Sequence, residues 1–320
     1  MQNRMILTVL CSLLLATACA KNPNFSCDSD QGRNAIVAEV DQELSRQNCA
    51  GALIVIEPYY SQVGCGTDDI RQARAAANSC AANINFFQLV DDLGTSNLLG
   101  SGLWVALTRL FPSSVNDQRL TAGQNALDAL FALRKPGILT PPAYIISPNS
   151  VNPGSLLAGD RTEDSNLYAM LVSMSLVGTL QNRFGAPQGN WHKGQKLGAT
   201  LGNPNGWETV TAVDVNACTY AGAVLTLFDS IGQVTNTIGT SLGGNAGTAL
   251  TTAASIFSTL MDTACEAGCS ACGLAAGSCT PCPLTLRDRN SCKGIATDKP
   301  SCAAAGIAAF IDSSVAGWPN

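Results

Sequence analysis

The chain has 320 residues and a formal net charge of −5, from 18 Lys and Arg against 23 Asp and Glu. This acidic balance argues against nucleic acid as a partner, since phosphate binding requires basic surfaces. Only 13% of the residues are charged and 46% are hydrophobic, which indicates a packed globule and not a disordered chain.

The N-terminal segment 1–18 has the pattern of an export signal. Residues 1–4 carry one positive charge, and residues 5–16 form an apolar run that is too short to span a bilayer. Small residues at 16–18 then precede Cys19, and this run resembles the lipobox of bacterial lipoproteins. The resemblance implies cleavage before Cys19 and acylation of its thiol. The alternative is an ordinary secretory signal, cut near Ala18 or Ala20.

Both interpretations export the protein, and they differ in how it meets the membrane. An acylated Cys19 would anchor the chain to the cell envelope, at the periplasmic face or the outer membrane. No internal run reaches the roughly 20 apolar residues that a membrane-spanning helix needs. We therefore expect an anchored chain and not a threaded one.

The first predicted elements form a helical hairpin. Residues 19–33 are predicted to be a polar tether between the lipid and the fold, and helical spacing begins at 34. An apolar helix over 50–56 is expected to end at Pro58, before a turn-rich stretch at 61–67. A second amphipathic helix begins at the acidic pair 68–69, where carboxylates suit the positive end of the helix dipole.

Residues 48–90 of this hairpin resemble a tetratricopeptide-type unit. The residues that carry the resemblance are Ala52, Ile56, Pro58, Ala73, Ala77 and Phe87. It implies a helical module for packing or for binding a partner, with no catalytic role.

The remaining elements are also helical, so the predicted class is all-α, a multi-helix bundle or short irregular α-solenoid with a disulfide-rich C-terminal segment. Further helices are predicted at 96–110, 117–134, 163–184, 207–238, 246–266 and 301–312, and a surface loop at 185–206. A proline-rich connector at 135–155 divides an N-terminal helical region at 34–134 from a C-terminal one at 156–264. A cysteine-rich segment with a terminal helix occupies 265–320.

Fourteen cysteines are many for a chain of this length. Cys11 leaves with the signal and Cys19 is taken by lipid, so twelve remain, and an even number in an oxidising compartment predicts a disulfide framework. The twelve are Cys27 and Cys65 together with ten specific disulfide candidates, which are Cys49, Cys80, Cys218, Cys265, Cys269, Cys272, Cys279, Cys282, Cys292 and Cys302.

Position along the chain leads to two predictions, one about a specific pair and one about a bridge between two parts of the chain. Cys49 and Cys80 lie at comparable heights on the two helices of the hairpin, so a bridge between them is predicted. Five of the twelve cysteines precede residue 265, and seven lie from Cys265 onward. Because both counts are odd, at least one bridge must cross between the two groups if all twelve pair within one chain, and Cys218 is the predicted donor.

Two alternatives compete for the C-terminal cysteines. The CxxC pairs Cys269/Cys272 and Cys279/Cys282 have spacing that suits tetrahedral zinc. The CxxxCxxC spacing from Cys265 resembles that of radical-SAM enzymes, but those proteins are intracellular. We favour disulfides, because the predicted compartment is oxidising.

Other candidate sites are weaker. Ser241 lies in a Gly-x-Ser-x-Gly sequence that fits the nucleophile elbow of α/β-hydrolases, but the one histidine of the chain, His192, precedes it, against the order of that family. His192 is predicted to be an exposed loop residue. Asp160, Thr162, Asp164 and Asn166 alternate as calcium ligands do, but an acidic first helical turn explains them better. No metal or cofactor is predicted.

The leading hypothesis is therefore a membrane-anchored helical envelope lipoprotein that binds a protein partner or small ligand without catalysis. One alternative is a serine hydrolase that uses Ser241, and another is a purely structural envelope protein.

Overall fold

The computed structural model describes residues 25–84, 102–111, 117–132, 162–194, 219–227 with 230, and 317–319. Within these ranges the fold is helical and contains no strand. The helices are α1 (Asp30–Ser45), α2 (Cys49–Tyr60), α3 (Asp68–Ala81), α4 (Leu103–Leu110), α5 (Asp117–Ala132) and α6 (Thr162–Phe184). A further helical stretch, α7, covers 219–227.

Helix α1 begins earlier than the sequence predicts. The Ser29 side chain accepts a hydrogen bond from the backbone N–H of Gly32 (3.1 Å), and Asp30 places a carboxylate in the first turn. Folded structure therefore includes residues from 25 onward, and the prediction of a tether as far as residue 33 is wrong. Polarity alone suggested a tether, but here the polar residues cap a helix.

Helix α2 is separate from α1 and passes through its proline. Gln47 has φ of 58°, which ends α1, and Asn48 caps α2 by accepting a hydrogen bond from Gly51 N–H (3.0 Å). The predicted end at Pro58 is wrong, because the helix continues to Tyr60. Pro58 lies in the last turn, where it removes only the hydrogen bond to the carbonyl of Ile54.

The helices form two groups, α1 to α3 and α4 to α6, which are joined where α3 packs on α5. Helices α1, α2 and α3 pack on one another, α3 packs on α5, and α5 packs on α6, which also contacts α4. Small residues permit the close approaches: a Cβ at Gly123 of α5 would press on Leu176 of α6, and one at Gly178 of α6 would collide with the carbonyl of Leu107 on α4. Helices on both sides of the predicted connector, 135–155, are thus in direct contact, whereas the connector itself lies outside the described residues.

Other predicted bounds agree or need correction. Helices α5 and α6 match the predicted 117–134 and 163–184 within two residues. Helix α4 begins only at Leu103, because Gly102 has φ of 84° and acts as its N-cap, so the predicted helix at 96–110 cannot run through. The predicted helices at 246–266 and 301–312 lie outside the described residues.

Candidate functional site

Two disulfide bonds hold the N-terminal unit, which we define as residues 25–84 with helices α1 to α3. Cys27, before α1, is bridged to Cys65, between α2 and α3, with a Cα–Cα distance of 4.7 Å. Cys49 at the start of α2 is bridged to Cys80 near the end of α3, with a Cα–Cα distance of 5.3 Å. The second bridge is the one that the helical hairpin predicts.

The bridge between Cys27 and Cys65 was not among the specific predictions. The tether prediction places Cys27 outside the helices, where no constant rise per residue fixes its height. The structure shows that this end of the chain is firmly held: the Arg33 guanidinium donates hydrogen bonds to the carbonyl oxygens of Cys27 (2.6 Å) and Gly64 (3.2 Å). A Cβ at Gly64 would collide with the Cys27 carbonyl, so only glycine fits this approach, and its φ is 90°.

Small and aliphatic side chains make up most of the core of the N-terminal unit. It consists of Cys27, Ile36, Val40, Ala52, Ile56, Tyr60, Cys65, Ile70, Ala73 and Ala77. Four of the six residues that carry the tetratricopeptide-type resemblance are therefore core residues, a role that any tight helical hairpin requires of them. The partner-binding implication of the resemblance stays a prediction.

An arginine–tyrosine cluster lies where α2 and α3 meet. Arg71 is only 1% exposed and its Nη1 lies 3.2 Å from Oδ1 of Asp68, while Arg74 Nε donates to Oε1 of Glu57 at 2.9 Å. The Arg74 guanidinium also stacks over the Tyr60 ring, 4.1 Å from its centroid. Each guanidinium already has a carboxylate partner, so the cluster does not form an open anion site.

Burial raises the pKa of Tyr60 above its ordinary value of 10.0. The positive charges of Arg74 and Arg71 oppose that rise, and the negative charge of Asp128 on α5 adds to it. Burial likewise raises the pKa of Tyr168 on α6. Neither phenol is ionised near neutral pH, so neither can act as a base there.

One side of α2 is open to solvent and carries apolar residues together with Glu57, whose side chain is 43% exposed. Ile54 is 75% exposed and Val63, in the loop after α2, is 89% exposed. Ala50 and Pro58 are exposed on either side of Ile54 at helical spacing. Ala50, Ile54 and Pro58 therefore share one side of α2, and Val63 is exposed separately in the loop that follows.

A buried polar network connects α4, α6 and α7. Thr108 Oγ1 donates to Oε1 of Gln181 (3.0 Å), and Nε2 of Gln181 donates to the Tyr220 hydroxyl (3.2 Å). Asn182 Nδ2 donates to the carbonyl oxygens of Thr108 (2.6 Å) and Phe111 (2.7 Å) beside it. These bonds satisfy groups at the end of α4 and fix how α4 lies on α6, so the network is structural.

The predicted surface loop is held by residues near the C-terminus. Trp318 is fully buried, its Nε1 donates to the carbonyl of Trp191 (2.8 Å), and Lys193 N–H donates to the carbonyl of Pro319 (2.8 Å). His192 is consequently half-buried, and the prediction of an exposed residue is wrong. The cause is a contact between parts of the chain more than 120 residues apart, which no local pattern reports.

The chain matches no protein-family model, no curated protein and no solved structure. The candidate site therefore rests on the residues themselves.

Several predicted site residues lie outside the described residues. They are Cys19, Cys218, Cys265, Cys269, Cys272, Cys279, Cys282, Cys292, Cys302 and Ser241. Of the alternating calcium-type residues, Thr162, Asp164 and Asn166 lie at the start of α6, in agreement with the helical interpretation, and Asp160 lies outside the described residues. The part of the chain that the structure describes contains no group of three or more His, Cys, Asp or Glu able to hold a metal ion. Across the same residues, none of the helices has the length and apolarity needed to traverse a bilayer.

Proposed function

We propose that this protein is a lipid-anchored lipoprotein of the cell envelope whose helical body binds a protein partner or small ligand and has no catalytic role. The observation that carries the proposal is the pair of disulfide bonds in the N-terminal unit. Structural disulfides persist in oxidising compartments and are rare in the cytosol. The pair Cys27–Cys65 and Cys49–Cys80 thus supports export, which is the first step of the proposal.

The anchor follows from the export signal and its position. The lipobox-like residues 16–18 directly precede Cys19. Cys19 in turn lies only six residues before Phe25, where the described fold begins. An acyl group on Cys19 would therefore hold the N-terminal unit close to the membrane surface.

The binding role rests on the character of the surface. Ile54 on α2 and Val63 in the loop after it present large aliphatic side chains to solvent, and the guanidinium groups of Arg71 and Arg74 each have a carboxylate partner. Exposed apolar surface of this kind is more typical of a contact region than of a catalytic site.

Mass spectrometry of the mature N-terminus tests the anchor. We expect the mature N-terminus to be an acylated Cys19. We also expect the protein to be recovered in the membrane fraction. Cys19→Ser should abolish acylation, whereas the matched control Cys11→Ser, in the same signal, should leave it intact. An unmodified mature N-terminus at any other residue would contradict the proposal.

The absence of catalysis has its own test. A fluorophosphonate probe labels activated serine nucleophiles, and we expect it to leave Ser241 unmodified in the native protein. Labelling that Ser241→Ala and heat denaturation both abolish would favour the serine hydrolase instead.

A further inference from the structure

The two disulfide bonds lie at opposite ends of the antiparallel pair of helices α2 and α3. Cys65 belongs to the loop that joins the two helices, and Cys27 is bonded to it there. Cys49 and Cys80 are bonded at the other end, where α2 begins and α3 ends. We call the loop side the closed end of the pair and the other side its open end. Each bridge therefore holds a different part of the N-terminal unit.

The two bridges differ in their access to solvent. Cys27 and Cys65 are 5% and 0% exposed, so a reductant reaches their sulfur atoms only when the fold opens. Cys49 and Cys80 are half-buried, and exposed residues at 45–48 and at 50 lie on both sides of Cys49 in the chain. Thiol–disulfide exchange begins with attack of a thiolate on a bridge sulfur and so depends on access. The open-end bridge is therefore the one that an external thiol meets first.

Apolar packing between α2 and α3 is thinner at the open end. The large core side chains Ile56, Tyr60 and Ile70 lie toward the closed end. The hydrophobic core residues that come next along each helix from the open-end bridge are Ala52 and Ala77. An alanine buries much less apolar area than an isoleucine, so the covalent bond supplies a larger share of the stability there. Loss of the bridge should loosen the open end first, while the loop and the second bridge still hold the closed end.

The open end is also where α3 meets the rest of the helical body. The carbonyl oxygen of Ala82, two residues after Cys80, accepts a hydrogen bond from Nε of Arg119 on α5 (3.0 Å). Ser79, directly before Cys80, contacts the phenol of Tyr168 on α6. The residues on both sides of Cys80 thus join the N-terminal unit to two further helices.

From this arrangement we propose that the bridge between Cys49 and Cys80 is a redox-sensitive switch, which an external dithiol opens and which controls how firmly the N-terminal unit is joined to α5 and α6. A thiolate of the dithiol attacks one sulfur of the bridge and forms a mixed disulfide, while the other cysteine leaves as a thiolate. The second thiol of the dithiol then resolves the mixed disulfide. Two electrons and two protons pass to Cys49 and Cys80, and the dithiol becomes a disulfide. The inference goes beyond the proposed function and does not use the anchor at Cys19.

Differential alkylation tests which bridge opens. The native protein is treated with dithiothreitol for increasing times, the free thiols are alkylated, and each cysteine is quantified by peptide mapping. Cys49 and Cys80 should become free at least about tenfold faster than Cys27 and Cys65, because the buried bridge must wait for the fold to open. In guanidinium chloride, where both bridges are exposed, the rates should converge. Equal rates in the native protein, or earlier opening of the buried bridge, would overturn the inference.

Hydrogen exchange tests whether the bridge controls the joint. Reduction should speed exchange at 77–84 and at 117–123 of α5 at least about tenfold, with a smaller change at 68–73 near the closed end. Oxidised dithiothreitol should restore both the bridge and the slow exchange. The variant Cys49→Ser/Cys80→Ser should exchange fast at 77–84 and 117–123 without reductant and should not respond further to it. The matched variant Cys27→Ser/Cys65→Ser keeps the switch, so its open end should still respond.

Two results of the exchange experiment would refute the switch. Unchanged exchange at 117–123 after Cys49 and Cys80 have been freed would show that the bridge does not control the joint. Equal acceleration across all of the described helices would show that reduction unfolds the protein as a whole, and the bridge would then be purely structural.

Discussion

Cys49 and Cys80 face each other across α2 and α3, with a Cα–Cα distance of 5.3 Å that joins the first turn of one helix to the last turn of the other. The bridge makes the helix pair antiparallel and sets its register. Because it closes a loop with a sequence separation of 31, it limits the freedom of the unfolded chain across the whole hairpin.

We expect the double variant Cys49→Ser/Cys80→Ser to reduce the stability of the N-terminal unit by about 2–4 kcal/mol, because the unfolded hairpin regains loop freedom. Native-state hydrogen exchange measures this as a lower free energy of opening for α2 and α3. Cys27→Ser/Cys65→Ser should give a loss of similar size, since its sequence separation is 38. Ala50→Ser, at an exposed position of α2, is the control, and equal exchange in all variants would argue against a stabilising bridge.

Stability should fall at alkaline pH because of Tyr60. Burial raises its folded-state pKa, so the folded protein holds the phenol proton more tightly than the unfolded chain does. This contribution to stability is fully present below the unfolded value of about 10 and is lost as pH rises through the raised folded value. Denaturant unfolding from pH 8 to 11.5 should show that decline, and Tyr60→Phe should make it less steep, with buried Tyr168 supplying part of the remaining slope. A slope that Tyr60→Phe leaves unchanged would refute the assignment.

Trp318 should determine the order of the loop at 185–194. Its ring packs so closely on Gly185 that a Cβ there would collide with it, and its indole N–H is bonded to the Trp191 carbonyl. Trp318→Ala should lower the local stability by about 3–5 kcal/mol through lost burial and a cavity. Faster hydrogen exchange in 185–194 is the readout. Trp318→Phe keeps one ring but loses the hydrogen bond and the ring atoms that pack on Gly185, so its effect should be smaller than that of Trp318→Ala, about 1–3 kcal/mol.

The sequence predicted the helical class and the hairpin bridge because both follow from regular geometry. A constant rise per residue puts Cys49 and Cys80 at matching heights without knowledge of the rest of the fold. The bridge from Cys27 has no such support, since an irregular segment before α1 has no fixed rise. Burial of Arg71 depends on how α3, α5 and their neighbours pack, and the contact between Trp318 and Trp191 spans 127 residues. Non-local contacts of this kind leave no periodic signal in the sequence.

The two observed bridges sharpen the parity argument for Cys218. They use four of the five cysteines that lie between Cys19 and residue 265, so Cys218 alone is left in that part of the chain. Seven cysteines follow from Cys265 onward. If all twelve pair within one chain, Cys218 must pair with one of those seven, which leaves six cysteines and fifteen possible connectivities among them.

Non-reducing peptide mapping of the native protein should therefore find Cys218 linked to a peptide from 265–302. Cys218 directly precedes α7, whose described residues are all buried, so the bridge would attach the cysteine-rich segment to the helical body. Cys218→Ser should expose one new free thiol within 265–302, whereas Cys49→Ser/Cys80→Ser should expose none there. A free Cys218 in the native protein, or stoichiometric zinc with Cys269, Cys272, Cys279 and Cys282 unbridged, would refute the parity argument and favour the metal site instead.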